Sequence, residues 1–475
     1  MRSIRGRLAL AASIPMLAPQ LVHSEEVQVQ LEQMNERISQ LEQQLQATDD
    51  ELQATSARAA SQQEVIERAG LGEEAATRSA LSRFLIETEF DGWVAASYWF
   101  NTNLPENTDG SGVDGNIGNQ RLGFDTDGLS YRQRPDHNSF QVDQVWFKMS
   151  NAATPESRGG FGVDLVFGKT ADTLRSDRSG GNAPAVYQAY AEYLAPLGPG
   201  VQFRLGRFAS AIGAEEIETV YNFNVSLSNT RHLLQPNNHL GVTASSQIGP
   251  VRMMIGGAND ALLANDTDLD DGKTLLWAVG LDVSDTIAID VSGLWGNAAS
   301  PPLPPLPPPP EYPLGTDLTT ANRIGIVDLV IRWDPSDILA AWIDIEYLWT
   351  EGAEVIPATG GTYVNIPGDP RAFAIAAASR YGITERTAVS LRAEGIIGKD
   401  NYLDPLALSG REDHTLWSLT GTLDHSFTEQ LVVRLETRYD QGESPGSDDV
   451  FYQDGDLGPT RRYQFVAGVE AYYRF

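Results

Sequence analysis

Hydrophobic residues follow three rhythms along this chain, and each rhythm predicts a different element. The first is a short unbroken apolar run, 8–17, preceded by Arg2, Arg5 and Arg7 and followed by Val22-His23-Ser24. A basic start, a brief apolar stretch and small residues at its end read as a secretory signal peptide over 1–24, too short to span a bilayer. The second rhythm has steps of three and four. Leu31, Ile38, Leu45 and Leu52 fall at heptad position a, and Val27, Met34 and Leu41 at position d, among Gln, Glu, Asp and Arg. Two apolar positions in seven make a narrow seam that needs a partner helix, so 25–69 reads as a coiled coil that self-associates. Leu and Ile mixed at a leave the strand number open. Ala69-Gly70-Leu71-Gly72 breaks the seam, and 70–85 reads as a linker.

The third rhythm is strict alternation, and it fills the rest of the chain. In 429–440, Leu431, Val433, Leu435, Thr437 and Tyr439 oppose Arg434, Glu436, Arg438 and Asp440. In 386–398, Val389, Leu391, Ala393 and Ile397 oppose Ser390, Arg392 and Glu394; in 337–350, Ile343, Ile345, Tyr347 and Trp349 oppose Asp344 and Glu346. A strand that crosses a membrane needs about 9–11 residues with an apolar side chain at every second position. Such segments occur at 86–101, 139–152, 160–169, 186–195, 201–209, 238–248, 250–258, 274–284, 286–297, 321–334, 337–350, 371–382, 386–398, 414–426, 430–440 and 461–475. Their connections alternate between long ones (104–138, 170–185, 210–237, 259–273, 298–320, 351–370, 399–413, 441–460) and short ones such as Gly249, Asp285, 334–336 and 427–429. Long external loops and short periplasmic turns are the habit of outer-membrane barrels. The chain is therefore expected to be all-β: a sixteen-stranded antiparallel transmembrane β-barrel over 86–475, preceded by a periplasmic α-helical coiled coil.

Composition narrows the partners. The 34 Lys+Arg and 64 Asp+Glu leave a net charge of −30, which excludes nucleic acid as a partner, because phosphates need cations opposite them. Zero cysteines exclude disulfides, thiolate metal sites and a Cys nucleophile. The Asp-rich stretch 266–271 lacks the spacing of an EF-hand loop, so no metal and no cofactor is assigned. Aromatics near strand ends (Trp99, Phe100, Tyr193, Trp295, Trp333, Trp349, Tyr381, Tyr439, Tyr473) fit the two interfacial girdles of a membrane barrel.

Several stretches resemble a known family. The segment 92–101 (GWVAASYWFN), the stretch 124–153 (FDTDGLSYRQRPDHNSFQVDQVWFKMSNAA), GGFGVDLVFGKTAD after it, and the 205–242 run beginning LGRFASAIGAEEIETVYNF are similar to the OmpL-like β-barrel porins. The terminal strand RRYQFVAGVEAYYRF, ending at Phe475, looks like the signature that delivers such barrels to their assembly machinery. The helical extension resembles that of the DcaP-like trimeric porins. These likenesses imply an outer-membrane porin, a homotrimer among membrane lipids and lipopolysaccharide, that passes ions and small hydrophilic solutes.

In such a barrel, inward side chains and inward-folded loops set selectivity. Alternation places Asp344, Glu346, Glu394, Glu436, Arg204 and Arg332 on the pore lining. The long link 210–237 mixes Glu215, Glu216 and Glu218 with Tyr221, Phe223 and Leu227, apolar residues that a surface loop does not need. It is expected to fold inward, with its carboxylates facing Arg392, Arg434 and Arg438 across a constriction. Acids in the external loops suggest a weak cation preference. Two other readings stay open. One is a structural anchor with a coiled-coil spacer. The other is a barrel enzyme, for which only the adjacent pairs Asp136-His137 and Asp413-His414 offer material, and neighbours on a strand face opposite ways.

Overall fold

In the computed structural model, residues 46, 86–104, 138–174, 184–261, 272–298, 322–351, 354–357, 363–366, 370–399, 413–443, 452–453 and 459–475 are described. The signal peptide, the heptad seam, the Asp-rich 266–271 and Asp136-His137 lie outside them. Thr88–Phe475 forms one compact unit.

Sixteen strands close into a single antiparallel barrel. They are β1 (Glu89–Asn101), β2 (Ser139–Asn151), β3 (Gly159–Phe167), β4 (Ala185–Ala195), β5 (Val201–Ala209), β6 (Asn238–Ile248), β7 (Val251–Ala258) and β8 (Thr274–Ser284). Then follow β9 (Ile287–Ala298), β10 (Asn322–Ser336), β11 (Leu339–Glu351), β12 (Arg371–Thr384), β13 (Thr387–Lys399), β14 (His414–Ser426), β15 (Leu431–Glu443) and β16 (Tyr463–Arg474). Each strand pairs with its sequence neighbours, and β1 closes the ring on β16, Trp93 opposite Arg474 and Asn101 opposite Val466. Two short hairpins, Glu354–Pro357 with Tyr363–Ile366 and Tyr452–Gln453 with Pro459–Arg461, stand apart from the ring.

The burial pattern is that of a soluble protein turned inside out. Along β15, Arg434, Glu436, Arg438 and Asp440 are buried while Leu435 is 52 % exposed. On β13, Ser390, Arg392 and Glu394 are buried, while Leu391 and Ile397 on the opposite face are exposed. Charged residues are rarely fully buried in water-soluble folds unless paired, and large apolar residues seldom line a whole outer face. Alternation produces both features at once when the outside solvent is lipid and every backbone group is satisfied by a closed ladder.

Two details depart from the pattern reading. Trp99 is not in a girdle: it is 3 % exposed, points inward with Val225 and Val466, and donates its indole N–H to Ser97. The alternation of β1 requires this, since Trp93, Ala95 and Ser97 on the same face are buried too. The turn expected at 334–336 lies at 337–338, because β10 runs on to Ser336 through an irregularity after Trp333. Pro335, which cannot donate to a ladder, sits in that irregularity.

Candidate functional site

The link 210–237 is the one long connection described throughout. Its ends are held together where the Ser210 amide donates to the Asn237 carbonyl at 3.2 Å, so the chain between them forms a closed loop. Within it are a short 3-10 turn (Thr219–Tyr221) and a helical turn, α1 (Asn229–Leu233), capped by the Ser228 hydroxyl. Of the apolar residues a surface loop does not need, Phe223 and Leu227 are packed, while Tyr221 stays 42 % exposed with its ring edge-on to Trp93. Ile217 and Leu227 lie with Trp93, Trp146 and Tyr187; Leu233 and Leu234 with Ile326, Leu348 and Ile396; Phe223 against Trp342 and Ala376. All of these partners belong to inward faces. The inner face of β12 is a row of alanines (372, 374, 376 and 378), whose small side chains leave the link room.

Charge then pins the link to the wall. Arg392 meets Glu215 at 2.5 Å and the Ser226 carbonyl at 2.6 Å. Arg438 donates to the Leu227 carbonyl at 2.7 Å and pairs with Asp440 and Glu394. Arg434 pairs with Glu470 and donates to the Thr219 carbonyl at 2.9 Å. Glu436 accepts the amides of Val225 and Ser226 at 2.6 and 3.0 Å, and Glu394 accepts that of Thr230 at 3.1 Å. On the other side Lys148 reaches Glu218 at 2.8 Å, between the rings of Trp93, Trp146 and Tyr221. Burial pushes the Glu218 carboxyl above the usual glutamate range, against the opposing pull of the Lys148 ammonium.

This arrangement corrects the expected geometry. Arg392, Arg434 and Arg438 do not face the link's carboxylates across a gap. They are buried in direct contact with link backbone, with Glu215 or with acids of their own wall. Asp344, Glu346, Glu394 and Glu436 lie under the link, not on open lumen. Glu218 is buried on the β2 side, 4 % exposed. Glu216 alone of the three link glutamates is exposed, its loop tied by Asn222, which accepts from the Glu216 amide and donates to its carbonyl.

Opposite the packed side, a cavity of about 520 Å³ remains between the link and the inner wall of β4–β10. The link contributes Glu215, Glu216 and Arg231; the wall contributes Arg252, Asp290 and Arg332. Arg252 pairs with Asp282 and, at 2.9 Å, with Asp290, which also accepts from Arg332 at 2.9 Å. These side chains are roughly a third exposed, unlike the pairs under the link. Arg204 is on the same wall, against the Tyr190 ring and Glu192. Arg332 was legible as a lining residue. Arg252 was equally legible from the alternation of β7, where Met253 and Ile255 face out; Arg231 was not, because a loop has no period. Among the described candidates for catalysis, Asp413 pairs with Lys399 while neighbouring His414 is buried inward.

A closed sixteen-stranded barrel with an apolar outer face and a charged, partly open lumen defines a membrane channel of the outer-membrane porin class. The sequence places it further: residues 87–475 match the family described as "Putative beta-barrel porin-2, OmpL-like", and the chain belongs to that family. No curated protein matches the chain. Among solved structures, it is similar to OmpT of Vibrio cholerae in its trimer form (12 % identity, 82 % of this chain and 99 % of that one, TM-score 0.48). It is also similar to the outer membrane channel DcaP of Acinetobacter baumannii (11 %, 82 % and 97 %, TM-score 0.49) and to an anion-selective porin from Comamonas acidovorans (9 %, 82 % and 99 %, TM-score 0.47).

Proposed function

We propose that this porin passes ions and small hydrophilic solutes by diffusion, and that the link 210–237 is its constriction. The observation that carries the reading is the cavity left between the link and the β4–β10 wall. The link packs against the inner faces of β1, β2 and β10–β15, so whatever crosses must pass Glu215, Glu216 and Arg231 on one side and Arg252, Asp290 and Arg332 on the other. Acids and arginines interleave there, and a mixed, hydrated lining holds no solute tightly. A weak cation preference then comes from the excess of acids in the external loops.

The mature chain assembles as a homotrimer among membrane lipids and lipopolysaccharide, with residues 25–69 forming a coiled coil in the periplasm. The test is single-channel recording from purified mature protein in planar bilayers. Discrete ohmic steps are expected, with a conductance that rises severalfold when residues 214–234 are replaced by a short Gly/Ser bridge. No steps from folded protein, or no rise in the bridged variant, overturns the channel or the constriction respectively. The heptad seam favours a second role as a tether. Deleting 25–83 separates the two, since a pore keeps its conductance without the helix and an anchor loses its hold.

A further inference from the structure

Three carboxylates under the link are out of balance with their surroundings. Asp328 on β10 and Asp344 and Glu346 on β11 are each at most 3 % exposed, and one oxygen from each lies within 4.8 Å of the others. One oxygen of each is satisfied. Asp328 Oδ2 accepts from the Gly213 amide at 2.9 Å and from Ser292; Asp344 Oδ2 accepts from the Ala214 amide at 2.9 Å; Glu346 Oε2 accepts from Gln235 Nε2 at 2.9 Å. The second oxygen of each, Asp328 Oδ1, Asp344 Oδ1 and Glu346 Oε1, receives no donor from the other described residues, and the Asp328 and Asp344 carboxyls lie within hydrogen-bond reach of each other. Arg231, the nearby cation on the link, is bonded to the carbonyls of Glu215 and Gln235.

Of the other wall acids beneath the link, Glu394, Asp440 and Glu470 each have an arginine and Glu436 has three donors. Here three formal negative charges are gathered out of water, which costs several kcal/mol per ion unless something positive joins them. A fourth buried polar side chain borders the cluster. Gln235 is 7 % exposed, its Nε2 bridges Asp344 and Glu346, and its Oε1 is also without a partner. Its nitrogen faces the carboxylates and its oxygen faces Gly213; turning the carboxamide over would present the oxygen to a cation instead. The carboxamide abuts Gly213, whose φ of +97° and lack of a side chain let the backbone come that close.

We propose that Asp328, Asp344, Glu346 and the Gln235 carboxamide form a calcium-class cation site that fastens both ends of the link to the wall. The donor set is all oxygen, as a hard cation requires. Three carboxylates in one site suit calcium, which takes six to eight oxygens in a flexible shell, better than magnesium, which keeps several waters and takes one or two carboxylates. The site joins residues 213–214, where the link enters, to 235, where it leaves. A bound cation closes the loop at its neck without needing an arginine there. The inference goes beyond the channel reading, and its test is a binding measurement, independent of conductance.

The test uses the mature full chain in detergent, stripped with a chelator and titrated with calcium chloride in a calorimeter, with terbium luminescence sensitised by neighbouring tryptophan as a second readout. One saturable site per chain is expected. Asp344→Asn and Glu346→Gln should each weaken it by at least about 100-fold, since affinity follows ligand charge. Glu216→Gln should leave it unchanged. Calcium should also slow cleavage of the link by an added protease. Folding of each variant is checked by the heat-dependent shift of barrels on gels, and Asp328→Asn stands in for a variant that fails it. No saturable binding by the wild-type protein overturns the site. So does binding that survives all three substitutions, or a link whose protection responds to pH and not to calcium, which would assign the cluster to shared protons.

Discussion

The two sides of the lumen use the same residue types to opposite effect. On β13–β16, Arg392, Arg434 and Arg438 and their carboxylates are sealed beneath the link, each guanidinium bonded to several oxygens. On β7–β10, Arg252, Arg332, Asp282 and Asp290 pair as well, yet stay partly in water around the cavity. Alternation treats the two sets alike. What separates them is a loop that covers one and leaves the other open. A sealed pair acts as a fastener, because removing one member strands a buried charge. An open pair acts as a lining, because water compensates whichever member is removed.

The strongest way to break that contrast is Arg392→Ala. It strands Glu215 and the Ser226 carbonyl, and is expected to cost about 3–5 kcal/mol in denaturant unfolding in micelles, followed by tryptophan fluorescence. Pairing it with Glu215→Ala should recover part of that loss; a double variant no better than the single would remove Glu215 from the fastener. Gly213→Ala comes next. Its backbone lies in the left-handed region and a Cβ would run into the Gln235 carboxamide, so a loss of more than about 1 kcal/mol is expected by the same assay, with faster proteolysis of the link.

Glu216→Lys and Arg332→Glu should sharpen the contrast from the other side. Each is expected to change stability by no more than about 0.5 kcal/mol, while shifting the reversal potential in a salt gradient, toward anions for the first and toward cations for the second. Unmoved potentials would place the ion path elsewhere. The smallest effect belongs to Lys399→Ala, at the exposed pair with Asp413, which should cost no more than about 1 kcal/mol and leave conductance alone.

Legibility followed the same division. Strands β5 (201–209), β6 (238–248), β8 (274–284) and β14 (414–426) have the bounds that alternation assigns, because a two-sided solvent, lipid without and water within, writes its demand at every second residue. The girdle role expected of Trp99 failed where aromatic identity was allowed to outweigh the parity of its own strand. In the link, the surplus of apolar residues signalled burial correctly but said nothing about which wall would receive them. The acids Asp344 and Glu346 were visible as inward residues; that they converge with Asp328 was not, since β10 and β11 bring the three together only through register, Asp328 opposite Glu346.

By itself the amino-acid order determined the number of strands, the face each side chain takes and the membrane as solvent, all of which are local and periodic quantities. Only the tertiary structure decided which inward charges fasten and which line a passage. That choice depends on contacts such as Glu215 with Arg392, 177 positions apart, whose geometry comes from barrel closure and loop packing, and no period in the chain encodes it.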